Sequence, residues 1–225
     1  MYQFITGPLV WISFLIFFIG LIVRGVLYIK GLNWQKDRVA YSEHMSYGIK
    51  GALRSIFFWL IPFGTKSWRE KPLFTIMFFV FHISLLITPI FLSAHNIMLK
   101  QGIGISLPTI PDSLADVLTI ALLVVALFFI LRRIALAEVR IISKPYDYLL
   151  IVITAAPFLT GFISYHQIYN SNFWIIAHII SGEIMLIAIP FTKLSHFILF
   201  FFSRAQIGMD FGIKRGGMKN KGLAW

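Results

Sequence analysis

Composition, segment length and charge placement together predict an all-α integral membrane protein with five transmembrane helices. The chain has 225 residues, of which 58% are hydrophobic and 13% charged, and its mean hydropathy is +0.82. A water-soluble domain of this length would not carry that balance. Apolar runs recur at about 5–29, 73–99, 114–133, 146–165 and 174–202. Each is long enough for a helix to cross the ~30 Å hydrocarbon core of a bilayer. Helices are expected because a backbone in lipid must satisfy its hydrogen bonds internally.

The first run has no basic residue ahead of it and is too long for the core of a signal peptide, so it reads as a retained helix. A long polar stretch, 30–72, follows. Within it Met45, Ile49, Leu53, Ile56 and Leu60 recur at helical spacing, with Lys50 and Arg54 on other faces. That pattern predicts an interfacial helix on the membrane surface, serving either as a dock for a partner or as simple adhesion to lipid. The second run contains Pro89 and the last contains Pro190, each able to kink its helix. Gly102 and Gly104, beside Pro108 and Pro111, read as turn chemistry and not as a phosphate-binding loop. No internal repeat is evident, and residues 1–225 read as a single membrane domain with a tail at 203–225.

The net charge of +11 might suggest a nucleic-acid partner, but its distribution argues against one. Segments 30–72, 132–145 and 203–225 hold eight, four and five Lys or Arg, whereas the opposite side holds only Lys100. Seventeen against one is a positive-inside signal. It predicts an N-terminus outside, a long cytoplasmic loop between helices 1 and 2, a cytoplasmic C-terminus, and short outer loops at 100–113 and 166–173. Tyr165, Tyr169 and Trp174 then fall at the outer interface, and Trp34, Tyr146 and Tyr148 near the inner one. The setting expected is the cytoplasmic (inner) membrane, with membrane lipids as partners. There is no cysteine, so the chain can hold no iron–sulfur cluster, covalently attached haem or disulfide.

Histidine placement carries the chemistry. His178 and His196 lie eighteen residues apart in the last run. On one continuous helix that is five turns, which puts both imidazoles on one face about 27 Å apart, one near each membrane surface. His82 and His95 occupy the second run. Four such histidines predict two non-covalent haems, each held between two imidazoles. Thirteen residues separate His82 from His95, which on a straight helix leaves them ~140° apart, so the Pro89 kink has to rotate the outer half. A lone membrane histidine is as often a helix-to-helix hydrogen-bonding group.

His166, at the outer end of the fourth run, reads as a competitor of His95 for the ligand role, as a proton shuttle, or as a solvated residue. His44 reads as solvated in the cytoplasmic loop. Glu183, about nine residues into the last run, reads equally as a protonated helix contact and as a proton acceptor. Lys193 can snorkel to the cytoplasmic interface and meet a haem propionate, and Arg54, Arg132 and Arg133 could do the same. Lys100 reads as a solvated lysine, or as a counter-charge to an outer propionate or a quinone oxygen.

Certain motifs carry a family resemblance. Tyr146-Asp147-Tyr148-Leu149-Leu150, Pro157-Phe158-Leu159-Thr160-Gly161-Phe162, His178, Gly182-Glu183, the run Pro190 to His196 and Ser203-Arg204 resemble the gamma-subunit family of respiratory nitrate reductase. The match is clearest over 146–204. The resemblance implies a five-helix, dihaem cytochrome b that exchanges electrons with quinone, with His178 and His196 as ligands on the last helix and His82 and His95 on the second. The thirteen-residue spacing departs from nitrate reductase itself and puts that role in doubt. Phe81-His82 through Ala94-His95, the loop segments 46–54 and 64–69, and Ala205 to Asp210 look more like the Tmc-type branch of membrane redox complexes in sulfate-reducing microbes. That likeness implies a cytoplasmic iron–sulfur partner of heterodisulfide-reductase type, a multihaem cytochrome c on the outer side, and menaquinone from the quinone pool.

The expectation is therefore an electron-transfer subunit with two haem b groups, the inner on His82 and His196 and the outer on His95 and His178. Lys100, His166 and Glu183 form a quinone and proton site. A cytochrome that keeps only one haem is the intermediate case. The alternative from another class is a haem-poor membrane anchor or transporter whose histidines line a polar path.

Overall fold

The computed structural model describes residues 2–32 and 45–214, so His44, Trp34 and the end of the tail lie outside the described residues. Among the described residues every regular element is a helix. Five helices are long and apolar enough to cross a membrane: α1 (Tyr2–Lys30), α4 (Pro72–Phe91), α6 (Asp112–Ala135), α8 (Pro145–Tyr165) and α9 (Ser171–Phe191). The chain is a multi-pass membrane protein. The remaining elements are α2 (Met45–Leu60), α3 (Lys66–Glu70), α5 (Ser93–Ile103), α7 (Ala137–Arg140) and α10 (His196–Lys214).

Two of the expected spans are interrupted. Helix α4 ends at Phe91, Leu92 is extended (φ −68°, ψ 133°), and α5 starts at Ser93. Pro89 lies in the last turn of α4 and contributes no N–H to it. The carbonyls around the break are taken by side chains of α5: Asn96 Nδ2 donates to Ile90 O and Leu92 O at 3.1 and 3.2 Å. The last run breaks in the same way. Pro190 sits in the final turn of α9, Thr192 is extended, and its Oγ1 accepts from Leu194 N at 3.1 Å to start a short 3₁₀ turn, Lys193–Ser195, before α10. Threonine competes with helix in this manner through its own hydroxyl. His178 and His196 therefore stand on different helices, and the continuous five-turn register between them does not exist.

The chain divides into two compact units, Met1–Phe14 with Met77–Leu186 and Leu15–Ile76 with Ile187–Trp225. In the first, Phe81 of α4, Leu122, Val125 and Ala126 of α6 and Phe158 of α8 form the buried core. The Phe81 and Phe129 rings meet edge to face, with centroids 5.4 Å apart. Asn96 is buried there, and its Oδ1 accepts from Leu107 N at 2.8 Å, which ties α5 to the connection ahead of α6.

In the second unit α2 packs along α10 through small residues. Gly48, Gly51, Ala52 and Ser55 are buried, while Met45, Ile49, Leu53 and Leu60 are exposed. The expected amphipathic helix is thus present, and its apolar stripe is left outward while a small-residue face allows close backbone approach. The connection after α2 is fixed by Thr65, whose Oγ1 caps α3 at Trp68 N (3.2 Å), and by Thr75, whose hydroxyl donates to Trp68 O at 2.7 Å.

A Cβ on Gly208 would lie 2.3 Å from Gly51 O and 2.8 Å from Ala52 Cα, and backbone atoms cannot yield as a side-chain tip can. Gly208→Leu should lower the thermal midpoint of the detergent-solubilised protein, with an overpacking cost of ~3 kcal/mol or more. An unchanged midpoint would show that α2 and α10 do not pack through this contact.

Candidate functional site

His95 and His178 face each other in the first unit. Their rings are parallel within 5° and their centroids are 5.9 Å apart. The break at Leu92 is what gives His95 this position, because it frees α5 from the register of α4. His95 Nδ1 donates to Pro89 O at 2.9 Å, across that break. His178 Nδ1 donates to Pro157 O on α8 at 2.8 Å. A carbonyl can only accept, so each Nδ1 carries the proton, and in a neutral imidazole the lone pair is then on Nε2. This is the arrangement by which a backbone acceptor orients a metal-ligating histidine.

The space for the His178 ring is provided by Gly161. A Cβ there would stand 2.9 Å from both Cε1 and Nδ1 of the ring. Thr160 beside it shares a hydroxyl hydrogen bond with Ser181 at 3.1 Å, fixing α8 to α9 next to the imidazole. Gly182, four residues beyond His178, has open space where a Cβ would project.

His82 and His196 carry the same preparation separately. His82 Nδ1 donates to Phe78 O at 2.8 Å, and its ring lies 4.1 Å from the Phe78 ring. His196 Nδ1 donates to Lys193 O at 2.9 Å, an acceptor supplied by the 3₁₀ turn after Thr192. They belong to different compact units. Four of the five described histidines therefore have Nδ1 bound to a backbone carbonyl.

His166 differs. Its Nε2 is 3.1 Å from Asp116 Oδ1, and a carboxylate makes that nitrogen the N–H. Tyr165 beside it donates to Asp112 Oδ2 at 2.8 Å, and Ser93 donates to Asp112 Oδ1 at 3.3 Å. His166 is thus in an exposed polar cluster and has its Nε2 occupied, whereas His95 has its Nε2 available. Lys100 is exposed on the last turn of α5. Glu183 is buried, and its Oε1 has no hydrogen-bond partner among the described residues.

Sequence reasoning missed Asn96, Asp112 and Asp116. The two aspartates open α6 one turn apart, a spacing that marks a helix start but no partner. Among the described residues no group of three or more His, Cys, Asp or Glu side chains is placed to hold a metal ion. The parallel His95 and His178 rings could together hold a metal group that brings its other ligands with it, as a porphyrin does.

Gly161→Val should displace His178 from Pro157 O. The expected result is loss of the hydrogen-bonded His178 Nδ1–H signal in an NMR spectrum, as in His178→Ala, while the other imidazole signals remain. Retention of an unaltered spectrum would mean that the glycine is not needed for the ring's position.

No protein-family model matches the chain, and no solved structure does. A curated protein of Nitratidesulfovibrio vulgaris (strain Hildenborough), described only as "Protein", is 51% identical over 217 residues, covering 96% of each chain. At that identity and coverage, this five-span chain with its paired His95 and His178 belongs to the same protein family as the Nitratidesulfovibrio vulgaris protein.

Proposed function

We propose that the chain is a dihaem b-type cytochrome subunit of a membrane-bound respiratory redox complex in the cytoplasmic membrane. It passes electrons between menaquinone or menaquinol and partner iron–sulfur or cytochrome c subunits. The supporting observation is the parallel His95–His178 pair, each ring oriented by a backbone carbonyl. Two imidazoles bound to one metal at ~2.0 Å metal–nitrogen distances have ring centres ~6 Å apart, which the 5.9 Å separation fits. His82 and His196, with the same Nδ1 commitment, are the ligands of the second haem in this reading. The basic asymmetry of the loops supports an N-terminus outside and a C-terminus in the cytoplasm. The resemblance to nitrate reductase gamma subunits, and to the Tmc-type branch in particular, supports the partners: an iron–sulfur subunit of heterodisulfide-reductase type inside and a multihaem cytochrome c outside.

Haem supplies one-electron chemistry at its iron when bound. The chain's own residues hold imidazole geometry. Pro89 O and Pro157 O keep the proton on Nδ1, so neither ring can turn over without losing a partly buried hydrogen bond. Quinol oxidation releases protons as well as electrons. The His166–Asp116 and Tyr165–Asp112 pairs offer titratable groups to take them, with Lys100 on the neighbouring α5 as a positive charge for a quinone oxygen. Glu183, buried and with no hydrogen-bond partner for Oε1 among the described residues, is the proton acceptor of the first unit in this reading. The same carboxyl is the one feature that favours a haem-poor transporter with a polar path, but that reading gives no reason for the paired imidazoles.

A reduced-minus-oxidised spectrum of the purified protein, with haem counted per chain, tests the proposal. Two low-spin haems are expected, with His95→Ala and His178→Ala each removing one and the same haem. An intact preparation without haem b would end the proposal, and loss of that haem in His166→Ala would reassign the ligand.

The quinone site has its own test. His166→Ala and Lys100→Ala should each slow quinol-dependent haem reduction about tenfold with both haem spectra in place, and unaltered kinetics in both variants would remove them from the site.

A further inference from the structure

In the second unit a cavity of about 530 Å³ opens beside His196, a volume within the range that takes small organic ligands. Its walls are of two kinds. Leu199, Phe200 and Trp59 give it an apolar side, and Arg24, Lys193 and Arg204 line it as well. Among the described residues no carboxylate lines it. Arg24 reaches it from the last third of α1, its Nη2 donating to Ser195 Oγ at 3.2 Å, and its buried Nε has no partner among the described residues. Arg204 is held over the Trp59 ring, 4.6 Å from the centroid, and the buried Trp59 Nε1 likewise has no partner among the described residues. Buried donors left without acceptors are costly, and arginine favours planar two-oxygen acceptors. The wall chemistry therefore fits an amphiphilic ligand with an apolar body and anionic oxygen groups.

We propose that this cavity receives the propionate carboxylates of the haem that His196 ligates, with Arg24 and Arg204 as their counter-charges. The inference rests on the reading of His196 as a haem ligand. The two side chains come from helices far apart in sequence, so the cavity reads a ligand only when α1 and α10 are both in place. Beyond retention, the pair sets electronics: positive charge beside a haem disfavours the additional positive charge of its ferric state. Arg24 and Arg204 are positioning and tuning residues in this assignment.

The test uses the full-length protein in its native complex, with the His196-dependent haem first identified as the signal lost in His196→Ala. Arg24→Gln combined with Arg204→Gln should shift that haem's oxidation equilibrium about tenfold toward ferric, ~59 mV for a one-electron couple, and leave the other haem's potential unchanged. Arg24→Lys with Arg204→Lys should recover most of the shift, which a merely structural role would not do. Equal potentials in the Gln pair and the wild type, with both haems present, would overturn the assignment. So would stoichiometric phospholipid phosphate bound to the wild type and lost in the Gln pair without a change in potential, which would make the cavity an anionic-lipid site. Retention of both haems in His196→Ala would instead reject His196 as a ligand, a failure of the underlying reading that is distinguishable from the other two.

Discussion

The hydrogen bond from an imidazole Nδ1 to a backbone carbonyl is the interaction on which the site depends. In lipid an imidazole N–H cannot be left to water, and a carbonyl that leaves the helical ladder cannot either. His95 and Pro89 solve both problems together, since Leu92 leaves the helix and the histidine three residues later returns its N–H to the carbonyl before the break. His178 and Pro157 make the same bond between two helices. One consequence is a fixed tautomer, and another is a fixed ring plane. Two rings fixed independently, one by α4 and one by α8, come out parallel within 5°. Neither ring is available to the other chemistry open to membrane histidines, donation through Nε2, which His166 performs with Asp116.

Helix interruption is what this arrangement requires of the chain. An unbroken second span would hold His82 and His95 at different angles on one cylinder, with Nδ1 of each confined to acceptors on its own preceding turn. His82 retains that local bond to Phe78 O, and His95 does not. The broken ends are covered within the protein. Asn96 caps Ile90 and Leu92 from one side and holds the Leu107 amide on the other, so a single buried amide stabilises the break and the following connection. The cap of Thr192 on Leu194 performs the equivalent task before His196.

Much of this was legible in the chain and some was not, for identifiable reasons. Hydrophobic run length located all five membrane helices to within a few residues at their first ends, because length and polarity are local properties. Pro89 and Pro190 were visible as perturbations, but whether proline bends or ends a helix depends on what can cap the freed carbonyls. That depends on Asn96 and Thr192, whose roles are set by neighbours. The five-turn argument for His178 and His196 failed there, since it assumed the ladder continued through Thr192. The α2 pattern was read from its apolar stripe, which is the exposed face. The buried face of Gly48, Gly51, Ala52 and Ser55 gives no hydrophobic signal at all, since close packing in membranes selects for small size and not for apolarity. The Asp116 partner of His166 lies fifty residues away, and no pattern in one sequence announces such a pair.

Positive charge in this chain separates into two populations that demand different explanations. Most lysines and arginines sit in the loops that flank the apolar runs, where the exposed Lys66 pairs loosely with Glu70, and orientation in the membrane accounts for them. A pair that exposed, and one turn apart, contributes little to stability. Arg24 is of another kind. It lies inside the first apolar run, six residues short of the end of α1, where a topological role would be served as well by a residue beyond the helix. Its guanidinium is directed at Ser195 and not at a carboxylate, and its Nε is buried. An arginine inside an apolar helix is expensive to retain unless something at that depth makes use of its charge. Arg204, on α10, is held over the Trp59 ring at the same cavity. Orientation would be unchanged if Arg24 were moved outward by a turn, so its position calls for a separate account, and the propionate assignment proposed above is one.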